Sequence, residues 1–290
     1  MLQRLGRSEA ASGLAMASPP AIYAVLLMGM PLVLLFVYSF LTDGYLTIIW
    51  DFTLQNYVDA WTDPVVRATM LRSLWVAVFV TIVTIILAFP VAYFVSFHVR
   101  PDRKSLWLFL ITIPFWTSYL VRVFLWKVIL AHNGVVNSAL LGLGVISEPL
   151  TSIIYNPNAV IITLAHAYAP FAILPIFVSL EKIDRSLMEA SQDLGESWLM
   201  SFWRVTLPLA MPGVVAAVMI VFIPTIGDYV TPHLIGGPEG RMVANLIQLQ
   251  YLRLDNYPAG SAIAISAMLM VTVISLVFLW LNRRFLGVGK

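Results

Sequence analysis

Six runs of about twenty or more mostly apolar residues divide this chain, each long enough to cross a bilayer as a helix. They are Ala21–Leu41, Leu74–Phe97, Leu106–Leu130, Ala159–Leu180, Gly213–Leu234 and Ala259–Leu281. At about 1.5 Å of rise per residue, such a run reaches through a hydrocarbon core of roughly 30 Å. Composition agrees: 60% of the residues are hydrophobic, 11% are charged, and mean hydropathy is +0.88. A water-soluble domain of that make-up has too little polar surface to cover itself. The expected class is an all-α integral membrane protein with six transmembrane helices.

The loops set an orientation. With both termini inside, the inner side holds Arg4, Arg7, Arg100, Arg103, Lys104, Lys182, Arg185, Arg204, Arg283, Arg284 and Lys290, 11 of the 17 basic residues. Arg67, Arg72, Arg122, Lys127, Arg241 and Arg253 fall outside or at membrane depth. The positive-inside rule favours this N-in, C-in arrangement. Residues 1–20 are then an inner N-terminal segment, residues 21–284 the six-span domain, and residues 285–290 an inner tail. The first apolar run is longer than a signal-peptide core and no small-residue cleavage site follows it, so an uncleaved span is expected. Residues 42–73 carry Asp43, Asp51, Asp59 and Asp63 with Trp50 and Trp61, an outer loop with interfacial aromatics.

Several chemistries are excluded. The chain has no cysteine, hence no disulfide, thiolate metal site or Cys nucleophile. A net charge of +2 gives no global basic field for nucleic acid. No glycine-rich loop ends in Lys-Ser/Thr, no Gly-x-Ser-x-Gly elbow occurs, and His98, His132, His166 and His233 lack zinc-site spacing. The chain is not expected to be an enzyme or to bind a metal or cofactor itself.

The exception to the apolar pattern is the charged, amphipathic stretch 181–208 between the fourth and fifth runs. Ser186 with Glu189 three residues on has capping-box spacing. Leu187, Ala190, Leu194 and Trp198 share one helical face, and Glu189, Asp193 and Glu196 another. Gly195 permits a sharp change of direction between two helical pieces, and Leu207-Pro208 is expected to stop the second and start the next span. On composition alone this is an amphipathic helix lying on a membrane surface.

Its register says more. Glu189-Ala190-Ser191, Gly195, then Val205, Leu207 and Pro208 resemble the EAA loop of ABC importer permeases, with Ser191 at the second alanine position. Two further stretches, Ile113-Pro114-Phe115-Trp116-Thr117-Ser118-Tyr119-Leu120-Val121-Arg122 and Gly227-Asp228-Tyr229-Val230-Thr231-Pro232, resemble the third and fifth spans of spermidine/putrescine permeases. The likeness runs from roughly Ala21 to Arg284 and points to the first permease of such a pair.

This resemblance implies a type I ABC importer permease in the bacterial inner membrane. It implies a heterodimer with a second permease, an ABC ATPase homodimer holding ATP and Mg, and an extracytoplasmic solute-binding protein. Glu189, Ala190, Ser191, Gly195, Trp198, Arg204, Leu207 and Pro208 are then the loop that couples to the ATPase. Glu189 and Gly195 are central, Leu194 and Trp198 pack the loop, and Arg204 pairs with an acid of the partner. The implied cargo is a polyamine. Alternatives are another small organic solute in the same machine, or an ATP-independent channel or secondary transporter in which 181–208 is only an interfacial helix.

Ionisable groups at membrane depth mark the remaining candidates. As parts of continuous helices, Arg122 and Asp228 would lie about 24 and 22 Å from the inner ends of spans three and five. His166 would sit about 10 Å below the outer end of span four, in the same layer. Two readings stay open: a buried Arg122–Asp228 ion pair that sets helix register, or a group lining the solute path or its outer gate. Trp116, Tyr119, Trp126 and Tyr229 join Arg122, His166 and Asp228 as candidates. Phe115, Tyr119, Arg122 and Trp126 share one face of span three, and aromatic faces attract cations. Pro170, Pro175, Pro224 and Pro232 interrupt spans four and five.

Overall fold

The structure, a computed structural model, describes residues 9–44 and 47–287. Arg4, Arg7 and Lys290, counted above in the orientation argument, lie outside them. Helix α1 spans Glu9–Tyr38. A two-residue hairpin, β1 (Thr42–Asp43) against β2 (Ile48–Ile49), follows it. Then come α2 (Gln55–Thr62), α3 (Pro64–Phe97), α4 (Pro101–Thr112), α5 (Tyr119–Ile129) and α6 (Val135–Gly142). The second half holds α7 (Pro157–Glu181), α8 (Arg185–Asp193), α9 (Trp198–Ser201), α10 (Leu207–Ile226), α11 (Val243–Leu252) and α12 (Tyr257–Leu281).

Among the described residues, six stretches are long and apolar enough to cross a membrane: Met16–Tyr38, Pro64–Phe97, Tyr119–Gly142, Pro157–Glu181, Trp198–Ile226 and Tyr257–Leu281. The second starts ten residues before the expected Leu74. Pro64 suits a first helical turn, and the Asp63 carboxylate caps it by accepting from the Val65 and Val66 amides.

Two expected spans are corrected. Leu106–Leu130 is not one helix. After α4 comes a 3₁₀ turn, Ile113–Trp116, and Thr117 and Ser118 are extended, with ψ of 142° and 137°. Pro114 removes a donor at this point, so the backbone leaves the helical path before α5 resumes it. The fifth span is displaced: it runs Trp198–Ile226 rather than Gly213–Leu234. Leu207-Pro208 does not stop it, because a wide π turn at Phe202–Thr206 joins α9 to α10. A proline's missing amide and ring burden the preceding turn, and that is the turn the π geometry loosens. At its far end the helix stops at Gly227, so Asp228 lies in non-helical backbone.

The core is α3, α7 and α10 packed together through small and β-branched residues. Val76, Val80, Ala88, Ala92, Val160, Leu164, Ile176, Leu180, Ala210, Ala217 and Val221 are buried there. Small side chains let backbones approach, which is how helices pack where lipid removes the hydrophobic drive between them. The closest approach is at Gly213, where a β-carbon would collide with the Pro175 carbonyl oxygen and come within 2.6 Å of Ser179 Oγ. A second cluster, with Met70, Ala77, Phe222, Ile226, Ile263 and Ala267, attaches α12. Outward-facing positions stay apolar, including Leu26, Leu87, Phe109, Leu276 and Trp280. An apolar exterior of this extent fits a hydrocarbon surrounding.

The segment joining α5 to α7 is pinned by Asn137, only 1% exposed. Its Nδ2 donates to the carbonyls of His132 (3.0 Å) and Leu150 (3.1 Å), and its Oδ1 accepts from the Leu150 amide (2.9 Å). Asn137→Ala strands these groups and should cost about 1–3 kcal/mol, read as a lowered Tm in detergent. An unchanged Tm would remove Asn137 from this role.

Candidate coupling segment and membrane-depth cluster

The first site is built on α8 and α9. Asp184, not Ser186, caps α8: its carboxylate accepts from the Ser186 amide at 3.0 Å, which holds that carboxyl below its ordinary range. The expected capping box does not form, because Asp184 reaches the free amides of the first turn, and Glu189 is left on the exposed face. The helix closes in a Schellman motif. The Glu196 amide donates to the Ser191 carbonyl (3.2 Å) and the Gly195 amide to the Gln192 carbonyl (2.9 Å). Gly195 takes φ +92°, a conformation that side chains disfavour, and the chain turns there into α9.

The segment is anchored to the helix ends above it. Arg185 donates to the Ser96 carbonyl (3.1 Å) and lies 5.8 Å from the Phe97 ring. Glu181 accepts from Lys104 and from Ser96, both at 2.6 Å. A cavity of about 220 Å³ opens between these parts, with Tyr93, Phe97, Met188, Glu189, Trp198 and Phe202 among its walls.

What faces outward from the elbow is apolar as well as acidic. Leu194 is 86% exposed, so it does not pack the loop as expected, whereas Trp198, 60% exposed, stacks its ring on Phe202 at 6.5 Å between centroids. Arg204 is corrected too: it pairs within the chain, with Glu196 at 2.5 Å. Ala190 is exposed, Leu207 and Pro208 are half-buried in the first turn of α10, and Ser191 is buried with its hydroxyl unpartnered. Size, not hydrogen bonding, is therefore what position 191 requires. Ser191→Ala should change Tm little or raise it slightly, since it removes only an unsatisfied hydroxyl.

The second site lies at the opposite end of the helices. The Tyr119 hydroxyl donates to Asp228 Oδ2 (2.7 Å) and lies 2.6 Å from Thr231 Oγ1. Asp228, 8% exposed, also accepts from the Val230 amide at 3.0 Å. The Arg122 guanidinium sits 5.7 Å from the Phe115 ring centre and 5.9 Å from that of Tyr119. Arg122 and Asp228 form no ion pair; Tyr119 stands between them, its ring toward one and its hydroxyl on the other. The Trp126 indole N–H donates to His166 Nδ1 at 3.2 Å.

Not every candidate joins this cluster. Trp116 is 80% exposed with its ring against Phe109, and the Tyr229 ring is exposed while its carbonyl accepts from Asn245. Thr231 is the residue that sequence reasoning missed. It stood inside a quoted motif, but a threonine in an apolar run gives no signal of its own.

The two sites are thus a solvent-exposed elbow at one end of a helical bundle and a polar cluster beside a helix break at the other. Residues 68–286 match the family model described as "Binding-protein-dependent transport system inner membrane component". The chain belongs to this family. The permease is 36% identical over 266 residues to the spermidine/putrescine transport system permease protein PotB of Escherichia coli (strain K12), covering 91% of this chain and 95% of that one. PotB of Haemophilus influenzae is 34% identical over 254 residues, 87% of this chain and 88% of its own. In fold, the permease resembles a chain from the crystal structure of a bacterial alginate ABC transporter in complex with an alginate pentasaccharide-bound periplasmic protein. That match has a TM-score of 0.75 at 17% identity and covers 99% of this chain and 100% of that one. The permease is a multi-pass inner-membrane subunit of a binding-protein-dependent ABC importer.

Proposed function

We propose that this permease moves polyamines of the spermidine/putrescine class, delivered by an extracytoplasmic binding protein, through ATP-driven alternating access. The observation that carries the cargo is the 36% identity to PotB over nearly the whole of both chains. The fold does not choose a cargo, since the structural relative is titled for alginate. ATP is hydrolysed by a separate pair of ATPase subunits, and a second permease completes the path. The elbow at Gly195 lies on the cytoplasmic side, which the basic residues Arg103, Lys104, Lys182 and Arg185 at that end support.

In this reading the exposed elbow, with Glu189, Leu194 and Trp198, enters the ATPase, and Gly195 holds the bend. The Schellman closure and the Arg185, Lys104 and Glu181 anchors make the elbow stiff enough to pass on a push. At the outer end, Tyr119, Arg122, Asp228, Trp126 and His166 line the path or its gate. Solute-stimulated ATP hydrolysis by the assembled complex in liposomes tests this, with putrescine, spermidine and an anionic control each supplied by the cognate binding protein. Stimulation by the polyamines alone is expected. Stimulation only by another solute would keep the importer and overturn the cargo.

A further inference from the structure

We infer that Phe115, Tyr119 and Asp228 form a seat for one alkylammonium group of the cargo, and that Arg122 fills this seat in the conformation seen here. The inference rests on the polyamine reading above. Tyr119 unites the two halves of the seat. Its ring and that of Phe115 present faces to a cation, while its hydroxyl fixes the Asp228 carboxylate at 2.7 Å. Aromatic faces with a nearby carboxylate are the surroundings that attract ammonium and guanidinium groups.

The present occupant is held loosely. Nε and Nη1 of Arg122 are buried and have no hydrogen-bond acceptor. A buried guanidinium ordinarily has acceptors for its donors, and here the rings supply attraction without accepting a hydrogen bond. Arg122 is therefore a tethered stand-in whose departure breaks no hydrogen bond. Cation replaces cation on the two rings when solute arrives, while the Asp228 carboxylate stays held by the Tyr119 hydroxyl and the Val230 amide. The carboxylate is also free to adjust, because Asp228 lies in the non-helical backbone after Gly227. Unwound backbone at membrane depth belongs where protein buries it or where it lines a polar cavity.

The test uses the whole complex in proteoliposomes, with its binding protein and labelled putrescine, and adds ethylguanidinium as a mimic of the arginine head. In Arg122→Ala the vacated seat should admit the mimic, so half-inhibition of uptake should need about tenfold less of it than in the wild type. Adding Asp228→Asn should erase that gain. Equal sensitivity of Arg122→Ala and wild type would overturn the seat.

If Arg122→Ala fails to assemble, Phe115→Leu keeps every charge and removes one aromatic face. It should carry about fivefold less putrescine per ATP hydrolysed while solute still stimulates hydrolysis. A defect of packing alone would lower both together, and an unchanged ratio overturns the seat. Wild-type complex that carries no polyamine defeats the functional reading and the seat together. Wild-type polyamine uptake with equal sensitivities defeats the seat alone.

Discussion

Glu189→Ala should leave the permease folded and assembled yet cut solute-stimulated ATP hydrolysis by at least about tenfold, the scale of a coupling free energy of 1–3 kcal/mol. The expectation follows from where Glu189 sits. It is on the exposed face of α8, its carboxylate makes no hydrogen bond or ion pair among the described residues, and Asp184 does the capping. Truncating it therefore removes little from the permease itself. A large loss of activity would have to come from a contact made across to another subunit. The measurement is ATP turnover with and without solute, alongside Tm and co-purification of the ATPase. Full stimulation in the mutant would dismiss the elbow as the coupling element; loss of Tm would reassign Glu189 to folding.

Gly213→Leu should have the largest effect on the fold. At this position α10 crosses α7 so closely that even a β-carbon meets the Pro175 carbonyl and Ser179. Overpacking of a tight core costs about 1–3 kcal/mol or more, and here the obstacle is backbone that cannot rotate away. Folded, monodisperse permease should be recovered poorly, with Gly213→Ala intermediate. Recovery and Tm equal to wild type for Gly213→Leu would mean that the two helices do not cross as described. Conversely, Ser179→Ala should partly relieve Gly213→Ala, since Ser179 is the part of the obstacle that substitution can remove.

Long apolar runs were readable because the bilayer demands them, and four of the six spans found among the described residues overlap their expected positions broadly. What could not be read was where helices break. Pro114 and Pro208 look alike in sequence, yet one coincides with a true interruption and the other is absorbed by a π turn. The difference lies in what packs around each, which no local rule contains. The elbow was legible from Gly195, because a left-handed closure narrows the choice of residue. Its inner pairing was not, because Arg204 and Glu196 are eight residues apart with a turn between them. At the far end, depth counted along ideal helices put Arg122 and Asp228 in one layer. That count cannot say which side chain stands between them, and Tyr119 does.

The helix that leaves the elbow is also the one that ends at Asp228. From Trp198 to Ile226 it is a single rod of 29 residues, roughly 43 Å at 1.5 Å per residue, with a π turn but no gap. A rod without a joint cannot absorb a push at one end by folding in the middle. Torque applied to α9 would arrive as tilt or rotation at Gly227, where the helix gives way to the non-helical backbone of Asp228 and Tyr229 before helical geometry resumes over Val230 and Thr231. On the coupling reading proposed above, work done at the elbow would thus be delivered, like a crank turning its pin, to the non-helical backbone at Asp228 at the far end of the same helix.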